Sequence, residues 1–173
     1  MGDTLITVIA IALAAVLMFV FPLMTMSDRT DDVSQLAVET TTTEFVDDVR
    51  TTGKLTLDKY SKFVENISAT GNAYDVEMEA KILDENVGKK TTQASHDKIG
   101  ENVYYSIFTS QILDKLDSNN TMSFKEGDIF STNVKNTNTT LSQQLKNFFY
   151  KVAGNDTYTI AAEHAGMVTA TGK

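Results

Sequence analysis

The chain has 173 residues, a net charge of −8, a pI of about 4.7, one proline and no cysteine. The missing thiols exclude disulfides, thiolate zinc sites and thiol nucleophiles, so the folded part must rest on its apolar core. The acidic balance repels phosphate backbones and anionic headgroups, which argues against nucleic acid and a peripheral membrane face as partners.

From Leu5 to Met26 the sequence is an almost uninterrupted apolar run, broken only by hydroxyls that a helix can bond back to its own carbonyls. At about 1.5 Å per residue, twenty-odd residues cross a hydrocarbon layer roughly 30 Å thick as one helix. Residues 1–28 are therefore expected to span a membrane. A cleaved signal would want a basic flank and a small-x-small site, whereas Met1-Gly2-Asp3-Thr4 has no Lys or Arg and Phe21-Pro22-Leu23-Met24 has no small pair. The helix is expected to be retained. Flanking charge gives almost no orientation, and the large acidic part on the C-terminal side suggests N-terminus inside and domain outside.

Residues 29–53 are expected to extend the same helix. Val33, Leu36, Ala37, Val38, Phe45, Val46 and Val49 recur mostly at three and four residues, with no Gly or Pro before Gly53, a natural stop. The run Thr40 to Thr43 is its weak point, because β-branched residues lose rotamer freedom in a helix.

Residues 54–173 then read as one α+β domain outside the membrane. Thr56 caps a helix over 57–69 with Tyr60, Phe63, Val64 and Ile67 on one face and Gly71 at its end. Tyr74, Val76, Met78, Ala80 and Ile82 alternate with charged residues, a half-buried strand. After a polar connection over 84–100, Asn102 is placed to cap a third helix carrying Tyr105, Phe108, Ile112 and Leu116. Residues 128–136 read as strand, 141–152 as a fourth helix capped by Thr139 or Thr140 and closed by Gly154, and 157–169 as a last strand. The expected core includes Tyr60, Phe63, Ile67, Val76, Met78, Phe148 and Ile160. Helices and strands in this order predict a long helix packed on a small, mainly antiparallel sheet with short helices.

Catalysis finds little support. His96 and His164 are the only histidines, and neither stands in a zinc or nucleophile motif. Gly88-Lys89-Lys90-Thr91 lacks the leading glycine and the magnesium hydroxyl of a phosphate loop, and reads as a polar loop. Asp117-Ser118-Asn119-Asn120-Thr121 has the alternating oxygens of a calcium loop, but Met122 holds the glycine position, so a helix-to-strand turn is expected. Asp31-Asp32 and Asp47-Asp48 are expected on a solvated helix face. Sequons at Asn66, Asn119, Asn138 and Asn155 follow from a composition rich in Asn and Thr. No cofactor and no small-molecule substrate is expected.

The informative constellation lies in the apolar helix. Asp3 is an ionisable group at its mouth, and Pro22 should loosen or kink it near the far end. In a lone anchor Asp3 is an N-cap or a solvated flank. In a core of packed helices its charge needs a cation, most simply a neighbouring chain's α-amine, and that pair would set axial register. The assembly helix comprises Asp3, Leu5, Ile6, Ile9, Leu13, Val16, Leu17, Val20 and Pro22.

An apolar N-terminal helix that becomes amphipathic and then enters a small α+β domain resembles the plan of type IV pilin-like proteins. A closer likeness lies in Phe45-Val46-Asp47-Asp48-Val49-Arg50-Thr51-Thr52-Gly53-Lys54-Leu55-Thr56, followed by Tyr60, Phe63 and Gly71-Asn72-Ala73-Tyr74-Asp75-Val76-Glu77-Met78-Glu79. With Lys125-Glu126-Gly127-Asp128-Ile129, these residues resemble TadE-like pseudopilins of tight-adherence pilus loci. The resemblance implies a non-enzymatic minor pilin or assembly component whose partners, through the N-terminal helix, are other pilin subunits or copies of itself. Typical prepilins carry a basic leader, a Gly at the cleavage point and a Glu five residues into the mature helix. Here the nearest acid is Asp3, so an uncleaved accessory or adhesin-like module is the alternative.

Overall fold

The computed structural model describes residues 2–84, 104–150 and 159–172, excepting the side chains of 145, 146 and 148–150. Helix α1, Gly2–Thr52, is continuous through Pro22 and through the threonine run. Propensity is overridden there by packing, since Val38, Phe45, Val46 and Val49 are buried against the domain. Thr43 also returns its hydroxyl to Glu39 O at 2.8 Å. Gly53 ends the helix with φ +64°, and a Cβ there would lie 2.2 Å from Ala170 O. Only glycine supplies both the left-handed turn and that close approach.

A three-residue strand β1, Lys54–Thr56, leads into helix α2, Leu57–Ser68, whose cap Thr56 accepts from Lys59 N at 3.2 Å. Strand β2 is Tyr74–Leu83 and strand β3 is Tyr104–Phe108, followed by helix α3, Thr109–Asn119. Asn120, at φ 55°, turns the chain into strand β4, Thr121–Ser123, so the oxygen-rich segment after Asp117 is a helix-to-strand turn. Strand β5, Ile129–Asn136, helix α4, Leu141–Tyr150, and strand β6, Ala161–Met167, complete the order.

The main sheet runs β3-β2-β5-β6 with every neighbour antiparallel, and β1 pairs with β4 in a separate ribbon. One sheet face, carrying Met78, Ala80, Phe130, Val134 and Ala162, packs under α1 and the short helices. At its centre Phe45 of α1 stacks on Phe63 of α2, with ring centroids 4.3 Å apart, and meets the edge of Phe130 at 5.9 Å. Phe124 closes the cluster against Phe130. The architecture is α+β: a long N-terminal helix on small antiparallel sheets with short helices.

Several local expectations are corrected. Tyr104 to Phe108 are strand, not helix, because Ile107 and Tyr105 align with Ala80 and Ile82 of β2. The helix starts only at Thr109, whose hydroxyl bonds Met78 N and O and so clamps β2 where pairing stops. Ile112 and Leu116 are buried as expected, whereas Tyr105 and Phe108 are exposed. Phe63, Ile67, Met78 and Ile160 are core residues, while Tyr60 and Val76 are only half-buried. The ribbon strands are too short to show periodicity. The last strand is confined to Ala161–Met167. The proposed cap Asn102, His96, the Gly88 loop, the Gly154 stop, Asn155 and the Phe148 side chain lie outside the description.

Candidate assembly interface

Helix α1 divides by environment. In its first half Leu5, Ile6, Ile9, Leu13 and Val16 are all more than half exposed, and Phe19 reaches 77 %. Leu17 and Val20 are half-buried, and Pro22 is exposed. Among the described residues this is the one helix long and apolar enough to cross a membrane, and none of its apolar window is buried. The hydroxyls inside it are satisfied locally: Thr7 donates to Asp3 O at 2.7 Å and Thr25 to Phe21 O at 3.0 Å. Since α1 is already helical at Gly2, Asp3 lies in the first turn and not at the cap. Among the described residues its carboxylate has no hydrogen-bond or ion-pair partner.

The second half is the mount for the domain; its buried stripe keeps the expected Val38, Phe45, Val46 and Val49 but departs from apolar periodicity before Val38. Ser27, Asp31, Ser34, Val38, Thr42, Phe45 and Val49 face inward at spacings of three and four. The upper part of that stripe is polar because it meets the start of α4. Thr140 donates to Asp31 Oδ2 at 2.7 Å, and Ser142 Oγ donates to Asp28 Oδ1. Thr140 and Gln143 form a reciprocal capping box, Thr140 N to Gln143 Oε1 at 3.0 Å and Gln143 N to Thr140 Oγ1 at 3.2 Å. Two carboxylates of α1 thus sit at the N-terminus of α4, where the helix dipole favours negative charge. Asp31 is buried, not part of a solvated acidic face.

Further down, Gln35 treats the start of β6 as a neighbouring strand would. It donates to Ala161 O at 2.7 Å and accepts from Ala161 N at 3.0 Å. Arg50 donates through Nε to Met167 O at 3.0 Å and pairs through Nη1 with Asp47 at 2.6 Å. The guanidinium holds the Asp47 carboxyl below the usual carboxylate range, and His164 Nε2 stands 3.5 Å from the same oxygen. Gly166 leaves the space that Arg50 crosses, since a Cβ there would lie 2.3 Å from Nε. Asp48 pairs with Lys59 of α2 at 2.8 Å. The mount is therefore held at intervals along its length.

With Ser27, Asp31 and Ser34 turned inward, the apolar residues between them face out. Val33 is 68 % exposed and Leu36 65 %, against the expectation that they pack on the domain. Met26, Arg29, Thr30, Val33, Ser34 and Ala37 of α1, with Asn66, Ala69 and Thr70 at the end of α2, line an open groove of about 670 Å³. Sequence reasoning missed Gln35, the Asp31–Thr140 contact and this groove. The only advance signal was polar residues at core spacing.

Elsewhere, the outward face of the sheet carries Asp75, Glu77, Glu79 and Glu163 around an open groove of about 690 Å³. Asp128 is buried and spends its carboxylate on two backbone amides, Leu83 N at 2.9 Å and Lys125 N at 2.8 Å. Among the described residues no group of three His, Cys, Asp or Glu is placed to hold a metal ion. No family model, no curated protein and no solved structure matches the chain.

Proposed function

We propose that this protein is a non-enzymatic, pilin-like structural subunit or minor pilin of a tight-adherence or type IV-like pilus. It assembles through the apolar half of α1, with other pilin subunits or further copies as its partners. The observation that carries the reading is the division of α1: a predominantly apolar half makes almost no contact with its own domain, while the other half is fastened to that domain from Asp28 to Arg50. A lone anchor does not require so rigid a continuation. A helix that transmits packing from a buried core to an outer domain does. Before assembly the same segment crosses the membrane with the acidic domain outside. The likeness of residues 45–56 and 71–79 to TadE-like pseudopilins points the same way.

A second reading, an uncleaved single-pass accessory or adhesin-like module, is favoured by the sheet's outward groove, which a surface-displayed domain would present. Shearing cells and imaging the sheared fraction with antibody to the domain separates the two. A subunit appears along filaments and is lost from them when residues 2–26 are replaced by an unrelated membrane helix. Retention of all the protein in the membrane fraction, with no labelled filament, overturns the subunit reading.

A further inference from the structure

We infer that the groove between α1 and α2 seats the first turns of α1 from a second copy of this chain, with that copy's Asp3 paired to Arg29. The inference rests on the subunit reading and specifies its contact. Arg29 is the only basic residue before Arg50, and Asp3 the only acidic residue before Asp28. Each is exposed, and among the described residues neither has a hydrogen-bond or ion-pair partner. Of the acids nearest Arg29, Asp28 and Asp31 are turned to Ser142 and Thr140, and Asp32, exposed one turn on, makes no ion pair with it among the described residues. A guanidinium at the mouth of an apolar groove and a carboxylate at the head of a bare apolar helix are complementary in charge. The surfaces that follow them are complementary in character.

The fit has a direction. The groove runs from Met26 and Arg29 toward Ala37, with Ala69 and Thr70 as its other wall. An occupant whose Asp3 meets Arg29 fills it only by running parallel to α1. Asp3 then lies 26 residues from its level in its own chain, about 39 Å at helical rise. That offset brings Ile6 and Ala10, on the same helix face as Asp3, level with Val33 and Ala37 to within one residue. Ala10, Ala37 and Ala69 are small enough for close helix approach, and Ile6 covers Val33, which otherwise stays in water. The pair fixes register, because a slip of one turn along an apolar seam costs little until it separates two charges. This partner for Asp3 lies within the chain's own sequence and requires no free α-amine.

The chain has no cysteine, so introduced pairs report unambiguously. Full-length protein carrying Ile6→Cys is co-expressed with protein carrying Val33→Cys, and disulfide-linked dimer is measured after mild oxidation of membranes and sheared filaments. A cross-linked dimer of this chain is expected. In that background Asp3→Arg or Arg29→Asp alone should lower its yield at least about tenfold, which is roughly 1.4 kcal/mol, and the double exchange should restore most of it. Arg29→Gln, with thermal melting of the domain as control, serves if Arg29→Asp disturbs folding beside Asp28 and Asp32. If filaments form but no Ile6–Val33 link appears, or the double exchange is no better than either single one, the groove assignment is overturned and the subunit reading stands. A link from Val33 to a different protein overturns the choice of a second copy. If no filament forms and no Ile6–Val33 link appears in membranes either, both readings fall.

Discussion

Phe63→Ala tests whether α1 and the domain share one core. Phe63 is 2 % exposed and stacks on Phe45 with planes 10° apart, so its ring joins α2 to the long helix, and Phe45 relays the contact to Phe130 of the sheet. Removing a buried ring costs about 3–5 kcal/mol, of which the stacked pair accounts for about 1 kcal/mol. In a domain of ordinary size that lowers the melting temperature by roughly 10–15 °C. The assay is thermal melting of the full-length chain in detergent, followed by near-ultraviolet circular dichroism of the tyrosines, since there is no tryptophan. Phe21→Ala, in the exposed part of α1, should leave the transition unchanged and serves as reference. A Phe45→Ala/Phe63→Ala cycle should show coupling of about 1 kcal/mol. If Phe63→Ala matches Phe21→Ala within about 1 kcal/mol, the ring is not a core residue and the docking of α1 described above is wrong.

Gly53→Ala should cost at least about 2 kcal/mol, because the left-handed backbone alone costs about 1–2 kcal/mol and the methyl also displaces Ala170 O. Gly71→Ala, also at positive φ but in open space, should cost only the backbone part, and equal melting temperatures for the two would refute the close approach. Gln35→Leu removes both contacts to the backbone of Ala161 and should cost about 1–3 kcal/mol, with hydrogen exchange at the Ala161 amide accelerating more than at the amides of β5. Unchanged protection at Ala161 would show that the side chain does not guard that edge. Asp47 contributes through a depressed carboxyl pKa, so its stabilisation is complete above the unfolded value of 3.8 and disappears as pH falls through the lower folded value. Wild type should therefore melt above Asp47→Asn at neutral pH and converge with it in acid. A gap that persists at the lowest pH would assign the effect to packing instead.

Much of this architecture is legible along the chain because its causes are local. An apolar run of membrane length, a Thr56 cap, an alternating β2 and Gly53 as a helix stop each act over a few residues, and each appears where those residues place it. The segment Tyr104 to Phe108 fails that test because its neighbour decides it: pairing with β2, more than twenty residues earlier, outweighs a helical spacing. The candidate site divides in the same way. Its apolar helix and the isolated charge of Asp3 are properties of the sequence. The outward turn of Val33 and Leu36 is not, because it follows from Asp31 meeting Thr140, 109 residues away, and from Gln35 meeting Ala161, 126 residues away. Polar groups at core spacing read as a defect in an amphipathic helix until their partners are in place. Once they are paired, burying them leaves the apolar face of α1 exposed, with Arg29 beside it, and only the tertiary structure decides that.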